Sequence, residues 1–145
     1  MEGDGTMAIV VGSEGLGDGE FVRAMEGCTL PENCFRHGDH LRFAWLCVHA
    51  EPVEGAIARV RNAIRKYAAH LGKPNLYHET MTVGWVRLIA SHAEGSFAEF
   101  LAANEARLGK ELLHRFWSPE LLTSERAKRE WVEPDRERLP QVRRI

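Results

Sequence analysis

Apolar residues recur at spacings of three and four between residues 53 and 71, which predicts an amphipathic helix there. The apolar positions are Val53, Ile57, Val60, Ile64, Tyr67 and Leu71. Pro52 stands at the start of this pattern, where the missing amide hydrogen of a proline costs nothing. Gly72 follows its last position and is a typical helix end. The pattern therefore predicts one helix between these two residues.

Further helices are predicted on both sides of this one. Start and stop signals place them at about residues 20–26, 39–50, 75–92, 97–108 and 121–131. No stretch between residues 20 and 130 alternates with period two for long enough to build a sheet. The connections are only a few residues long, so neighbouring helices should pack antiparallel. The predicted fold is all-α, a compact bundle of about five helices with short connections.

The first 18 residues differ from the rest of the chain. Six of the 13 glycines lie within the first 19 residues, and this segment has no apolar period of either kind. We therefore predict a disordered glycine-rich N-terminus over residues 1–18 and a single helical domain over residues 19–145, with an extended C-terminal tail. The glycines do not match a phosphate-binding loop, so no nucleotide cofactor is expected.

Composition excludes several classes of function. The 145 residues include 19 basic and 21 acidic side chains, a balance that argues against a nucleic-acid-binding surface. No apolar run approaches the roughly 20 residues that span a bilayer. Three cysteines without a C-x-x-C spacing indicate reduced thiols. We expect a cytoplasmic protein that binds a small molecule, neither nucleic acid nor membrane, and homo-oligomer formation stays open.

Two polar residues lie in the helix predicted at residues 75–92, which is apolar nearly all round. His78 and Glu79 are adjacent, and neighbours on a helix diverge by about 100°, so both cannot point away from the interior. A buried imidazole or carboxylate must find a partner, shift its pKa or bind a metal. This pair is therefore the centre of the predicted site.

Three further histidines are candidates to join the pair. His37, His40 and His70 lie near helix ends that antiparallel packing would bring to the end of the bundle that holds His78. Four histidines with Glu79 are a suitable ligand set for zinc, iron or manganese. A metal-free alternative makes His78, Glu79 and His40 acid and base catalysts. In a third interpretation His37, His49 and His92 are surface or capping groups and His78 is a satisfied core histidine.

Residues near the predicted site are candidates to hold a substrate. Arg42 interrupts an apolar stretch and carries forked donors suited to an anionic group, unless it forms a structural ion pair. Tyr77 and Thr82 are placed to position the substrate, and Trp45 and Trp85 to wall the pocket.

Two functions are compatible with these patterns. The first is a small helical enzyme that acts on a small metabolite through the histidines and Glu79, with or without a divalent metal. The second is a non-enzymatic helical module that binds a protein partner or a small ligand. Its contact patch would be formed by exposed apolar residues of the C-terminal segment, namely Trp117, Leu121, Leu122 and Trp131.

Two motifs carry a resemblance to a known family. Residues 35–45 read F-x-H-x-D-H-L-R-x-A-W, and residues 77–82 read Y-H-E-T-x-T. Together with segments 67–70, 121–127 and 132–135, they resemble a family of short bacterial all-helical proteins of unknown function. The resemblance covers roughly residues 28–140. It implies a compact helical protein and does not specify a substrate.

Overall fold

The computed structural model describes residues 12–32, 36–92, 95–104 and 110–141. Within these ranges the regular structure consists of helices, without a β-strand. The fold class is therefore all-α, as the sequence predicts. None of the helices in the described ranges has the length and apolar character needed to span a membrane.

The described residues form helices α1 (Asp18–Glu26), α2 (His37–Ala50), α3 (Val53–His70), α4 (Glu79–Ala90), α5 (Phe97–Asn104), α6 (Pro119–Leu122) and α7 (Glu125–Arg129), with 3₁₀ helices at Pro74–Leu76 and Lys110–Arg115. The amphipathic helix predicted from the apolar spacing is α3. It begins after Pro52 and is followed by Gly72, whose φ of 75° favours glycine.

Two predicted helices differ from the observed ones. The helix predicted at residues 75–92 begins later, at Glu79, because a 3₁₀ turn is followed by extended backbone, with φ −133° and ψ 111° at His78. The helix predicted at residues 121–131 is two short helices. Ser124 interrupts it, because its hydroxyl accepts a hydrogen bond from the Ala127 amide and caps α7. The end of the helix predicted at residues 97–108 lies outside the described residues.

The hydrophobic interior has two clusters that share α4. In the first cluster α2, α3 and α4 contact one another, and α1 and α5 add apolar side chains. Its members include Phe21, Phe43, Tyr67, Val86 and Phe100, all almost completely buried. The second cluster packs the C-terminal segment against α4, through Leu88, Leu113, Phe116, Trp117, Leu122, Ala127 and Val132. The two clusters meet along α4.

The apolar C-terminal residues are part of this second cluster, so the predicted contact patch is wrong. Trp117 and Leu122 are fully buried, and Leu121 and Trp131 are half-buried and packed against the cluster. The indole of Trp117 donates to the Val132 carbonyl at 3.0 Å. The chain folds back on α4 here, because burying these large side chains is favourable.

The described part of the glycine-rich segment folds against α2. Asp39 is 1% exposed and accepts hydrogen bonds from the amides of Gly12 and Ser13 and from the Ser13 hydroxyl. Arg42 donates to the carbonyls of Ser13 and Leu16. These two buried charged side chains order residues 12–17 by supplying partners for their backbone, where disorder was expected. Residues 1–11 lie outside the described residues.

Candidate functional site

His78 is the N-cap of α4, and both of its ring nitrogens are hydrogen-bonded within the fold. Nδ1 accepts from the Met81 amide at 3.1 Å, and Nε2 lies 2.8 Å from the Leu122 carbonyl oxygen. A carbonyl oxygen only accepts, so Nε2 carries the proton and Nδ1 the lone pair of a neutral imidazole. Burial lowers the pKa of His78, the Leu122 carbonyl opposes this, and the charge of Lys128 adds to the lowering.

Glu79 is held by two donors from different parts of the chain. Arg61 Nε lies 3.0 Å from both carboxylate oxygens, and Arg61 Nη2 lies 2.6 Å from Oε2. The Tyr77 hydroxyl donates to Oε1 at 2.5 Å. Burial by itself would raise the pKa of Glu79, but the bonds from Arg61 and Tyr77 outweigh it and lower the pKa. The carboxylate therefore stays ionised at neutral pH.

Tyr77 and Arg65 complete this arrangement, which we call the Glu79 cluster: Arg61, Arg65, Tyr77 and Glu79. The Arg65 guanidinium lies 5.5 Å from the centre of the Tyr77 ring. Burial and the hydrogen bond to Glu79 both raise the pKa of Tyr77. The phenol is thus a fixed donor, and the Glu79 carboxylate has a partner on each oxygen.

The other predicted metal ligands have separate surroundings. The His37 ring contacts the Trp85 ring, with 5.1 Å between centroids. His70 is exposed at the end of α3, and its ring lies 6.1 Å from that of Tyr67. His40 is half-buried in the first turn of α2.

The predicted convergence of these histidines around Glu79 is not observed. Across the described ranges, no group of three or more His, Cys, Asp or Glu side chains is placed to hold a metal ion. The physical reason is local. His78 turns to the Leu122 carbonyl to cap α4, and Glu79 turns to Arg61 on α3. Dependence on a metal is not tested by this geometry and stays a prediction.

The predicted substrate-binding residues form two groups: Arg42 and Trp45 have partners away from Glu79, and Tyr77 and Thr82 lie beside it. Arg42 binds the N-terminal loop and also the Asp18 carboxylate, at 2.8 Å. Thr82 donates its hydroxyl to the His78 carbonyl at 2.8 Å. Trp45 packs in an aromatic group with Phe97 and Phe100, at centroid distances of 6.0 and 4.9 Å. A substrate pocket lined by these residues stays a prediction.

A cleft of about 230 Å³ lies instead at the C-terminal end of α4. Its apolar lining comes from α4, α5, the 3₁₀ helix Lys110–Arg115 and the residue that follows that helix, namely Leu88, Ile89, Phe100, Leu112 and Phe116. Its polar lining residues are His92, Asn104, Arg115 and Glu137, and Pro140 contributes from the tail. An apolar concavity with a few polar groups is the usual form of a small-molecule site.

Charged and polar groups of the cleft have defined partners. Arg115 and Glu137 form a two-pronged ion pair, with Arg115 Nε 3.1 and 3.2 Å from the two carboxylate oxygens and Nη2 3.0 Å from Oε2. The Ser91 hydroxyl donates to the Leu88 carbonyl at 2.7 Å, so His92 Nδ1, 2.8 Å from the same hydroxyl oxygen, is the donor of that pair. The lone pair of a neutral His92 therefore sits on Nε2.

Sequence reasoning missed this cleft. His92 and Arg115 look like solvated residues at helix ends, and Glu137 lies in a charged, proline-containing tail. The lining residues come from four separate segments. They come together only because the C-terminal tail packs next to the 3₁₀ helix Lys110–Arg115. The apolar Leu88 and Ile89 next to a histidine are the only local signal, and a buried helix gives the same pattern.

Comparison of the chain with protein-family models, curated proteins and solved structures finds no match. The resemblance carried by the motifs at residues 35–45 and 77–82 therefore stays a prediction.

Proposed function

We propose that this protein binds a small, largely apolar molecule in the cleft at the C-terminal end of α4. This is the ligand-binding form of the non-enzymatic module considered from the sequence. The observation that carries the proposal is an open volume of about 230 Å³ with an apolar lining and an ion pair beside it. Burial of apolar surface would drive binding, and the polar groups would orient the ligand.

The volume sets the size of the ligand. A cavity of about 150 Å³ in another protein holds benzene. The cleft is larger than this, so it suits a molecule of about two fused rings or a chain of about eight carbons. The partly exposed mouth, where Arg115 and Glu137 are 58% and 51% exposed, allows entry without unfolding.

The Glu79 cluster supports catalysis less well than the cleft supports binding. A general base needs an available lone pair, and a general acid needs a proton to give. His78 uses both nitrogens in hydrogen bonds to backbone, and Glu79 is paired with Arg61 and Tyr77. The enzyme alternative stays a prediction, and loss of a turnover activity in a Glu79→Gln variant that thermal melts show to be folded would support it.

Indole, a neutral two-ring molecule, tests the proposal when titrated into the protein by calorimetry. We expect a Kd on the order of 0.1–1 mM, typical of a ligand of this size. Leu112→Trp places a larger side chain in the cleft and should weaken indole binding at least about tenfold. Failure of indole to bind, or equal binding by this variant, would contradict the proposal.

Leu121→Trp is the matched control. Leu121 is half-buried against the same second cluster as Leu112 but does not line the cleft. The substitution Leu121→Trp introduces the same side chain into the same part of the core, so it measures any general effect of overpacking on indole binding. We expect this variant to bind indole as the unmodified protein does, and thermal melts of both variants verify that they are folded.

A further inference from the structure

We infer that the cleft selects a ligand with a carboxylate head group, which Arg115 binds in exchange for Glu137. The inference rests on the proposed function and specifies the class of ligand: an amphiphile with an apolar body and an anionic end. Arg115 and Glu137 both line the cleft and bind each other there.

The Arg115–Glu137 pair shows how a carboxylate fits this position. The guanidinium presents Nε and Nη2 to the two carboxylate oxygens, all within 3.2 Å. This fork is the geometry in which arginine recognises carboxylates in general. Glu137 thus occupies the position that the carboxylate of a ligand would take. The apolar part of that ligand would pack against Phe116 and Leu112.

Arg115 is anchored independently of Glu137. It belongs to the 3₁₀ helix Lys110–Arg115, whose Leu113 is 1% exposed in the second cluster, and it precedes Phe116, which is 3% exposed. Its guanidinium lies 5.7 Å from the centre of the Phe116 ring. A guanidinium placed over the aromatic wall stays at the cleft when its carboxylate partner is exchanged.

Glu137 can leave without releasing the tail. The residues just before it are fixed, since the Arg136 amide donates to the Phe116 carbonyl at 2.9 Å and the Arg136 side chain to the His114 carbonyl at 2.8 Å. Asp135 accepts from the Ser118 amide and hydroxyl, both at 2.7 Å. Only a side-chain rotation at Glu137 is then needed, and an exposed ion pair of this kind is weak.

Because Arg115 is anchored and the Glu137 side chain can rotate away, the cleft favours an anionic head group over a cationic one. A cation would have to bind Glu137 and displace the Arg115 guanidinium from the Phe116 ring, whereas an anion displaces the Glu137 side chain by rotation alone. The second guanidinium, that of Arg136, is held at the His114 carbonyl beside the same 3₁₀ helix. The two guanidinium groups attract an anion, and the fixed carboxylate of Asp135 at Ser118 opposes this in part.

Three probes with one chain and different head groups test the inference: octanoate, 1-octanol and octylamine, titrated at pH 7.4. We expect octanoate to bind most tightly. Arg115→Gln should weaken octanoate about tenfold and leave octanol within about twofold, because only the charged head group loses a partner. Glu137→Gln should tighten octanoate about threefold or more, because the internal competitor is weakened.

Arg126→Gln and Glu130→Gln are the matched controls. They alter another exposed arginine–glutamate pair, 2.9 Å apart, in residues that do not line the cleft. Both should leave octanoate binding unchanged. An octanoate affinity no higher than that of octanol, with no effect of Arg115→Gln, would overturn the inference and leave the proposed function standing. Tightest binding of octylamine would also overturn it, and failure of all three probes would remove the proposed function too.

Discussion

The polar residues at the two ends of α4 have different surroundings: those at the N-terminal end are hydrogen-bonded to distant segments of the chain, and those at the C-terminal end border a cleft. At the N-terminal end, His78 and Glu79 are polar residues in an apolar setting, and both are hydrogen-bonded to other parts of the chain. At the C-terminal end, Leu88, Ile89 and His92 border an open cleft. Polar residues inside an apolar pattern can thus mark a structural contact, and an open cleft can lie beside residues that carry no such signal.

The contrast has a simple physical origin. A buried polar group without a partner is costly, so the fold supplies partners where the sequence places such groups. Arg61 serves this purpose for Glu79, and the Leu122 carbonyl for His78. A cleft needs the reverse condition, an apolar surface that the chain leaves incompletely covered. Such a surface is formed by segments distant in sequence, here α4, α5 and the tail.

Removing the charge of Glu79 should have the largest effect on stability. Glu79→Gln leaves Arg61 without its counter-charge, and we expect a loss of about 2 kcal/mol in the free energy of unfolding. Urea denaturation measures it. Indole affinity should be unchanged, because Glu79 does not line the cleft.

Glu130→Gln is the control for this change. Glu130 also pairs with an arginine, but its side chain is 61% exposed, against 12% for Glu79. We expect no measurable loss of stability, since exposed pairs contribute little. Equal losses of stability in the two variants would contradict a structural role for Glu79. A lower indole affinity in Glu79→Gln would show that the N-terminal end of α4 also takes part in ligand binding.

Removing the cap of α4 should have a smaller effect. His78→Ala deprives the Met81 amide of its acceptor and the Leu122 carbonyl of its donor, and we expect a loss of about 1 kcal/mol. His78→Asn should recover part of it, because asparagine also caps helices. The denaturant midpoints of the two variants test whether His78 caps α4. Identical midpoints would argue against this role.

Acid should weaken the N-terminal end of α4 in two steps. The folded pKa of His78 and that of Glu79 both lie below their ordinary values of 6.5 and 4.5. The unfolded chain therefore binds more protons than the folded one, so stability rises with pH. The contribution of His78 is present above pH 6.5 and is lost as the pH falls below it. That of Glu79 is lost below pH 4.5.

Comparing the unmodified protein with the His78→Asn variant isolates the loss of stability that is due to His78. The difference in unfolding free energy between the unmodified protein and this variant should shrink as the pH falls from 7.5 to 5.5, because protonated Nδ1 cannot accept from the Met81 amide. A difference that is constant over this range would show that His78 does not cap α4 as a neutral imidazole.

The smallest expected effect lies at the cleft. Arg115→Gln should not change the thermal midpoint measurably, because Arg115 and Glu137 are both more than half exposed. Differential scanning fluorimetry with and without octanoate measures both this midpoint and the loss of ligand stabilisation. A large destabilisation without ligand would indicate that the pair holds the tail in place.

Sequence patterns predicted the helices well where the signal was local. The spacing of apolar residues from Val53 to Leu71 predicted α3, and a start signal predicted α5 from residue 97, where the reciprocal bonds of Ser96 and Glu99 are 2.8 and 3.1 Å. The start of α4 was missed because His78 fits a helical period and also serves as a cap. The period of a sequence does not distinguish the two roles.

The candidate site depends on tertiary contacts that local patterns do not encode. The partner of Glu79 lies 18 residues away in Arg61, and that of His78 lies 44 residues away in Leu122. Cys47 is a contrasting case, because its position in an apolar run is local and it is buried; burial raises the pKa of its thiol to about 12, so the thiol stays protonated and unreactive.

The most direct test of the account is a map of indole binding by two-dimensional NMR of the ¹⁵N-labelled protein. We predict amide shift changes concentrated at the cleft, in Leu88, Ile89, His92, Phe100, Leu112 and Phe116, with the amides of residues 78–82 unchanged. Shift changes centred on residues 78–82, or no shift changes up to the solubility limit of indole, would contradict the placement of the ligand site at the C-terminal end of α4.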